Sequence, residues 1–210
     1  MLEVLSDPGG FFEEKIKEEI DLKPPYAVIG IVTLLTLINA FILMRELMEN
    51  LLSDVPTIVQ LIVITLGLMV TMASGMIVWL MISGLFYVFS WFLAGQGKFT
   101  RVLEFVAYGF LPFIFSSAIS MVLMISMCSF SDFAMNDPQT IEKAMLKSPY
   151  MIVSNAISII LALWSANIWV FAMIHSRSLS IKNAMITVGI PIGLYLIYML
   201  YTLYQAIGQP

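Results

Sequence analysis

Charge, cysteine and histidine are what this 210-residue chain has least of. Only 11% of its residues are charged, against about 25% in a soluble globular domain. That is too little to coat a water-facing globule, which argues against a soluble enzyme. Ten Lys and Arg against 14 Asp and Glu give a formal charge of −4. This is the wrong sign for a surface that tracks phosphates, so nucleic acid is excluded as a partner. Cys128 is the single cysteine and cannot bridge within the chain. His175 is the single histidine, with no Asp or Cys placed to make a nucleophilic or zinc site beside it. Paired aspartates, a Ser/His pair and a zinc-type His-Glu motif are all missing from the apolar stretches, so an intramembrane protease is not indicated. No catalytic residue, no metal ligand set and no cofactor site is read from the chain.

Apolar residues are what is there: 60% of the chain, including 16 Met, with a mean hydropathy of +0.95. Residues 24–44, 55–97, 105–131, 148–176 and 183–210 carry no Asp, Glu, Lys or Arg. About 20 such residues cross a ~30 Å hydrocarbon core as a helix. Runs such as Ile157 to Trp164 lack the alternation of a membrane strand. The fold class expected is therefore all-α, a polytopic transmembrane helical bundle. Its domains are a 1–25 N-terminal cytoplasmic or interfacial segment and a 26–210 transmembrane domain. Spans are placed at about 26–44, 56–94, 103–128, 149–174 and 183–205. The stretch 56–94 fits either one helix overrunning the bilayer or two short passes turning at Ala73-Ser74-Gly75. Positive charge decides between them, because cytoplasmic loops carry the excess of Lys and Arg. With five spans and a cytoplasmic N-terminus, Lys15, Lys17, Lys23, Lys98, Arg101, Arg177 and Lys182 lie inside. Arg45, Lys143 and Lys147 lie outside. Six spans would split the charges evenly, so five are preferred, in a cell-membrane, multi-pass protein.

The first 25 residues hold seven acidic residues and three lysines, unlike a cleaved signal peptide, and no lipidation motif is read. Phe12, Ile16 and Ile20 recur at helical spacing and predict a short amphipathic helix between Pro8 and Asp21. Glu13 and Lys17 would pair at i,i+4. Such a segment either docks on the first span or presents a recognition helix to a cytoplasmic protein.

Small residues mark helix-packing faces within the spans. Gly67, Thr71 and Gly75 fall four apart, as do Gly189 and Gly193 around Pro191. This spacing allows close backbone approach, inside one bundle or at a seam between copies. Asn155, Ser158, Ser165 and Asn167 give the fourth span its polar groups, read first as interhelical hydrogen-bonding glue, with Asn39 as a candidate partner, and second as a cavity lining. Met121, Met124, Met127 and Cys128 cluster within two turns. Flexible apolar packing is the preferred reading of this cluster, with soft-ligand binding of Cu(I) the alternative.

The loop after the long apolar stretch is the most distinctive segment. It runs Gly95, Gly97, Lys98, Phe99, Arg101, then Tyr108, Gly109 and Pro112. The glycines permit a tight turn. Thr100 is placed to cap the next helix, and Pro112 to bend it. These residues, in this order and spacing, resemble the Yip family of Ypt/Rab-interacting membrane proteins, and in particular its archaeal or bacterial relatives. Pro8, Phe11-Phe12 and Pro24-Pro25 before the first span fit too, as do His175, Ser180, Lys182 and Ala184 before the last. The resemblance implies a five-span domain with a cytoplasmic N-terminus. In eukaryotes the family binds Rab GTPases and acts in membrane traffic or shaping. The N-terminal segment here is too short for an extended trafficking arm, so small-GTPase binding is not carried over.

The function expected is a non-enzymatic scaffold or adaptor with a membrane-organising role. Its partners would be the lipid bilayer and other membrane proteins or a second copy. The alternative is a transporter or channel for a small neutral or lipid-like substrate, using the polar face of the fourth span. A topology reporter fused after Pro210 is expected to face away from the cytoplasm. A cytoplasmic signal would overturn the five-span count.

Overall fold

The charge-free stretches become five helices long and apolar enough to cross a membrane, in a computed structural model that describes residues 2–51, 55–130 and 147–208. A 3-10 turn at Leu2–Leu5 leads into α1 (Pro8–Lys15). Then follow α2 (Lys23–Leu51), α3 (Thr57–Phe92), α4 (Phe99–Tyr108), α5 (Leu111–Phe130), α6 (Pro149–Arg177) and α7 (Ile181–Gly208). The spans are Lys23–Met48, Thr57–Phe92, Phe99–Met127, Pro149–Arg177 and Ile181–Ile207. No strand occurs among the described residues. α2 packs on α3 and α5, α5 on α6, and α6 on α7. The short α4 is wedged against α2, α3 and α6.

The ambiguous stretch is one helix. α3 runs 36 residues without a break at Ala73-Ser74-Gly75, about 54 Å at 1.5 Å per residue. Its hydroxyls fold back on their own carbonyls, Thr71 on Gly67 at 2.9 Å and Ser74 on Thr71 at 2.7 Å. Gly75 lies against Thr33 of α2, and Gly67 against Met44. The glycines are there for helix contact rather than for a turn, so the Gly67–Thr71–Gly75 face is spent inside this bundle.

The third span is broken instead. α4 ends at Tyr108, and α5 begins at Leu111. Pro112 has no N–H to offer the helix, which frees a carbonyl one turn back. The Trp169 indole N–H of α6 donates to the Val106 carbonyl at 2.8 Å, and the Trp79 indole of α3 to the Leu103 carbonyl at 3.1 Å. Gly109 is where Trp169 comes closest. A Cβ there would sit 2.0 Å from the indole nitrogen.

Core side chains gather at this end. Phe86, Phe110 and Phe113 surround Trp169 with ring centroids 5.4–6.3 Å away. Phe12 of α1 is fully buried against Phe105 and Tyr108.

Gly109→Ala is expected to displace Trp169 and cost about 1–3 kcal/mol, as overpacking does. Gly189, where an added Cβ meets nothing within 4 Å, is the control, and Gly189→Ala is expected to be neutral or slightly stabilising. Thermal unfolding in detergent checks both. Equal midpoints for the two variants would refute the close-packing account.

Candidate interaction surface at the N-terminal end of the bundle

The segments with unusual sequence meet at one end: the N-terminal segment, the α3–α4 loop, α4 and the α6–α7 turn. The loop is built by helix ends. α3 closes with Ala94 in the left-handed conformation at φ 60°. Its C-terminal carbonyls are met by the Gly95 N–H to Ser90 at 2.8 Å and the Ala94 N–H to Trp91 at 3.2 Å. This double bond pattern is the usual way a helix ends on a left-handed residue. α6 closes the same way, with Ser178 at φ 52° and the Leu179 N–H on the Ile174 carbonyl at 3.2 Å.

Arg177 locks the two ends together. It is 2% exposed. Its Nε donates to Ser90 Oγ at 2.9 Å and Nη2 to the Gly95 carbonyl at 2.5 Å, while Nη1 donates to the Gly97 carbonyl. The guanidinium lies 4.4 Å from the Tyr87 ring centroid, within cation–π range. Its own carbonyl accepts from the Gln96 N–H at 2.8 Å. No carboxylate pairs with it among the described residues. Its charge is stabilised by loop carbonyls, a hydroxyl, a ring face and the negative ends of α3 and α6. Gly97, at φ +125°, passes so close to α6 that a Cβ would sit 2.5 Å from the Ser176 carbonyl. Asn183 of α7 completes the corner by donating to the Leu93 carbonyl at 3.3 Å.

A second charged group is buried one layer over. Glu104 is fully buried on α4. It accepts from Arg101 Nη1 at 2.7 Å and, at a long 3.4 Å, from the Asp21 N–H. Lys15 Nζ stands 3.9 Å away and pairs with Glu18 at 2.5 Å. Arg101 Nη2 also donates to the Glu18 carbonyl at 2.6 Å. The N-terminal segment is thus strapped to α4 by charge and to α6 by the Trp164 indole, which donates to the Leu5 carbonyl at 3.1 Å.

The candidate loop residues therefore do different jobs. Gly95, Gly97 and Gly109 shape backbone, Arg101 ties α4 to the N-terminal segment, and Tyr108 and Pro112 are buried. Phe99 meets Tyr87 edge-to-face with centroids 5.3 Å apart. Lys98 alone of the set is both charged and exposed. It is also the residue that precedes α4, with backbone carbonyl bonds to Arg101 and Val102. Thr100 sits inside the helix, so the expected Thr100 cap is not formed. α1 stops at Lys15, before Lys17, and the ion pairs of this segment run from Lys15 rather than between Glu13 and Lys17.

The polar face of α6 divides. Ser158 bonds Ser116 of α5 at 3.0 Å, and Ser154, which the sequence pattern did not single out, bonds Ser120 at 2.8 Å. Asn39 reaches α5 rather than α6, donating to the Ser117 carbonyl at 3.0 Å. Ser165 is buried with no partner for its hydroxyl, Asn155 is half-buried, and Asn167 points outward. Gly189 and Gly193 face open space. Of the sulfur cluster, Met127 is buried, and the Cys128 side chain lies outside the described residues. No group of three or more His, Cys, Asp or Glu able to hold a metal occurs among the described residues.

The buried Arg177 and Glu104 were missed as structural residues because each sits beside a span, where a charge reads as a solvated flank. Arg177→Leu would take this donor from the Gly95 and Gly97 carbonyls and leave the Ser90 hydroxyl only its own bond to the Tyr87 carbonyl, a loss on the order of 3 kcal/mol. Arg177→Lys is expected to recover only part of it, having no planar fork. Hydrogen exchange at residues 94–98 should quicken in both, more in the leucine variant. Exchange unchanged from wild type would refute the clamp.

Residues 2–203 match the Yip1 domain family. Over 122 residues the chain is 31% identical to an uncharacterized protein of Methanocaldococcus jannaschii, an alignment covering 57% of this chain and 84% of that relative. No solved structure matches. The relative fits the expected prokaryotic branch, and a match over nearly the whole length carries the conclusion that this five-span helical chain belongs to the Yip1 domain family.

Proposed function

We propose that this Yip1-family protein is a non-enzymatic scaffold of the cell membrane, with its N-terminus in the cytoplasm, that organises lipid and other membrane proteins or further copies of itself. The observation that carries this reading is where the polar groups go. Arg177, Glu104, Arg101, Asn39 and the two serine pairs are all engaged in holding the bundle together. The strength of α3, in contrast, is directed outward. It is 36 residues long, uncharged throughout, and exposes large apolar side chains such as Leu66, Val70, Ile77, Met81 and Val88.

A helix of about 54 Å exceeds a ~30 Å hydrocarbon core, and the surplus is met by tilting, local thickening of the bilayer or association with another helix. Trp91, exposed at the end of α3, is a residue type that anchors a helix at the lipid–water boundary. The excess of Lys and Arg at this same end supports its cytoplasmic assignment.

Crosslinking of the tagged full chain in its own membranes, followed by gentle extraction and mass measurement, tests the proposal. A stoichiometric partner or second copy is expected. Crosslinks should concentrate on the outer face of α3 and at Lys98, and Lys98→Glu should weaken those at the loop. A lone monomer with bound lipid only would overturn the scaffold reading.

A further inference from the structure

Two cavities lie between the spans, and Thr36 of α2 lines both. The larger, about 440 Å³, is mostly apolar and sits between α2, α3, α5, α6 and α7, with Ile29, Phe86, Phe113, Ala162, Trp169 and Ile192 in its wall. The smaller, about 220 Å³, lies between α2, α5 and α6 and is lined by Asn39, Ser116, Ser117, Ser120, Tyr150 and Ser154. At ~30 Å³ for a water-sized group, the first has room for about 15 groups and the second for about seven. Apart from the shared Thr36, the smaller cavity's residues on these three helices lie farther from the Arg177 clamp than the larger cavity's do. No Asp, Glu, Lys or Arg lines either one.

The smaller cavity has hydrogen-bonding capacity to spare. Asn39 Nδ2 donates to the Leu35 carbonyl at 3.1 Å and to the Ser117 carbonyl at 3.0 Å. Two carbonyl acceptors fix which way the amide is turned. Asn39 Oδ1 is left a buried acceptor with no partner among the described residues, and buried polar atoms are nearly always paired. Donors are spare as well. Ser116 with Ser158 and Ser120 with Ser154 each make one bond from two hydroxyls, so each pair keeps one O–H to give. A group that suits this wall must donate, accept and carry no charge. A neutral hydroxyl meets all three conditions. A cation accepts nothing, an ester only accepts, and an ion of either sign would lie among the spans without a counter-ion. The larger cavity calls for hydrocarbon, because an apolar cavity does not hold water.

We propose that the two cavities form one site for a bilayer lipid with an uncharged, hydroxyl-bearing head, of the monoacylglycerol kind. The head donates to Asn39 Oδ1 and accepts from a serine O–H, and the chain passes Thr36 into the larger cavity toward Trp169. This is the direction of a lipid in the leaflet farther from the clamp. Its head lies at the first turns of α6, beside Tyr150 and Ser154, and its chain runs toward the middle of the bundle. The site lies within a single copy, so it stands whether the protein is found alone or assembled as proposed above.

The test uses the full chain in discs of phosphatidylcholine that hold a small fraction of a monoacylglycerol with a diazirine at the end of its chain. After irradiation, peptide mapping by mass spectrometry gives the place and amount of label. Label around Phe113, Ala162 and Trp169 is expected to exceed severalfold that on outward-facing residues such as Val70 and Ile197. The same probe with both head hydroxyls methylated keeps the chain and the oxygens but cannot donate, and it is expected to lose most of that excess on the unaltered protein. Ala162→Leu fills the larger cavity and removes no hydrogen bond, so labelling there should fall about tenfold while the melting midpoint holds. Asn39→Leu should reduce it severalfold. Label no denser inside than on the outer faces would overturn the proposal, as would an unchanged level in Ala162→Leu. Equal labelling by the methylated probe would also overturn it, since the head would then make no use of Asn39.

Discussion

A guanidinium taken out of water must find every partner it loses, and Arg177 finds them in the one place where two helix ends and a loop converge. Two carbonyls of the α3–α4 loop, a serine hydroxyl of α3 and the face of Tyr87 surround it. A buried cation without a carboxylate is stable only where oriented dipoles replace the counter-ion, and the C-terminal ends of α3 and α6 supply them. The position of Gly97, the turn after α3 and the entry into α4 all follow from this requirement. The α6–α7 turn follows as well, through Ser178 and Asn183.

The same end of the molecule manages its buried carboxylate differently. Glu104 has real cations beside it, Arg101 from its own helix and Lys15 from the N-terminal segment. The segment is thus ordered by a group that needs covering, while the aromatic contacts of Phe12 with Phe105 and Tyr108 add apolar burial. Both devices concentrate polarity inside one end of the bundle. Elsewhere, paired hydroxyls bond within a helix or across to the next, as Ser116–Ser158 and Ser120–Ser154 do, while those of Ser83 and Ser165 are buried without a partner among the described residues. The outer faces of α3 and α7 expose large apolar side chains, such as Val70 and Met81 on the one and Leu194 and Ile197 on the other. That division is the ground of the scaffold role proposed above. The Asn155–Asn167 face does not assemble a polar conduit, since Asn167 points outward and Ser158 is consumed by Ser116.

Much of the architecture was readable from residues. Spans of 20 or more residues without a charge have one stable form in hydrocarbon, because helices satisfy their own backbone groups. The break near Pro112 was readable for the same kind of reason, a missing donor. The extent of α3 was readable only through the charge count, since nothing local at Ala73-Ser74-Gly75 separates a turn from a packing face. Met44 and Thr33 on the neighbouring helix separate them. The candidate site was less legible. Gly95, Gly97 and Gly109 were flagged for the right loop, but the residues that hold it, Arg177, Glu104, Ser90, Trp79 and Trp169, lie up to 98 positions from one another. Their signal in sequence is no more than a charge or an indole near a span end.

The sequence by itself determined the class of solvent, the five helices and the family, because hydropathy and chain length act locally and motif order survives as text. Only the tertiary structure decided which charges are buried, which glycines touch a neighbour and which polar face is consumed. Those outcomes depend on distances between helices remote in sequence. A guanidinium beside a span becomes a clamp only when another helix ends within three ångströms of it.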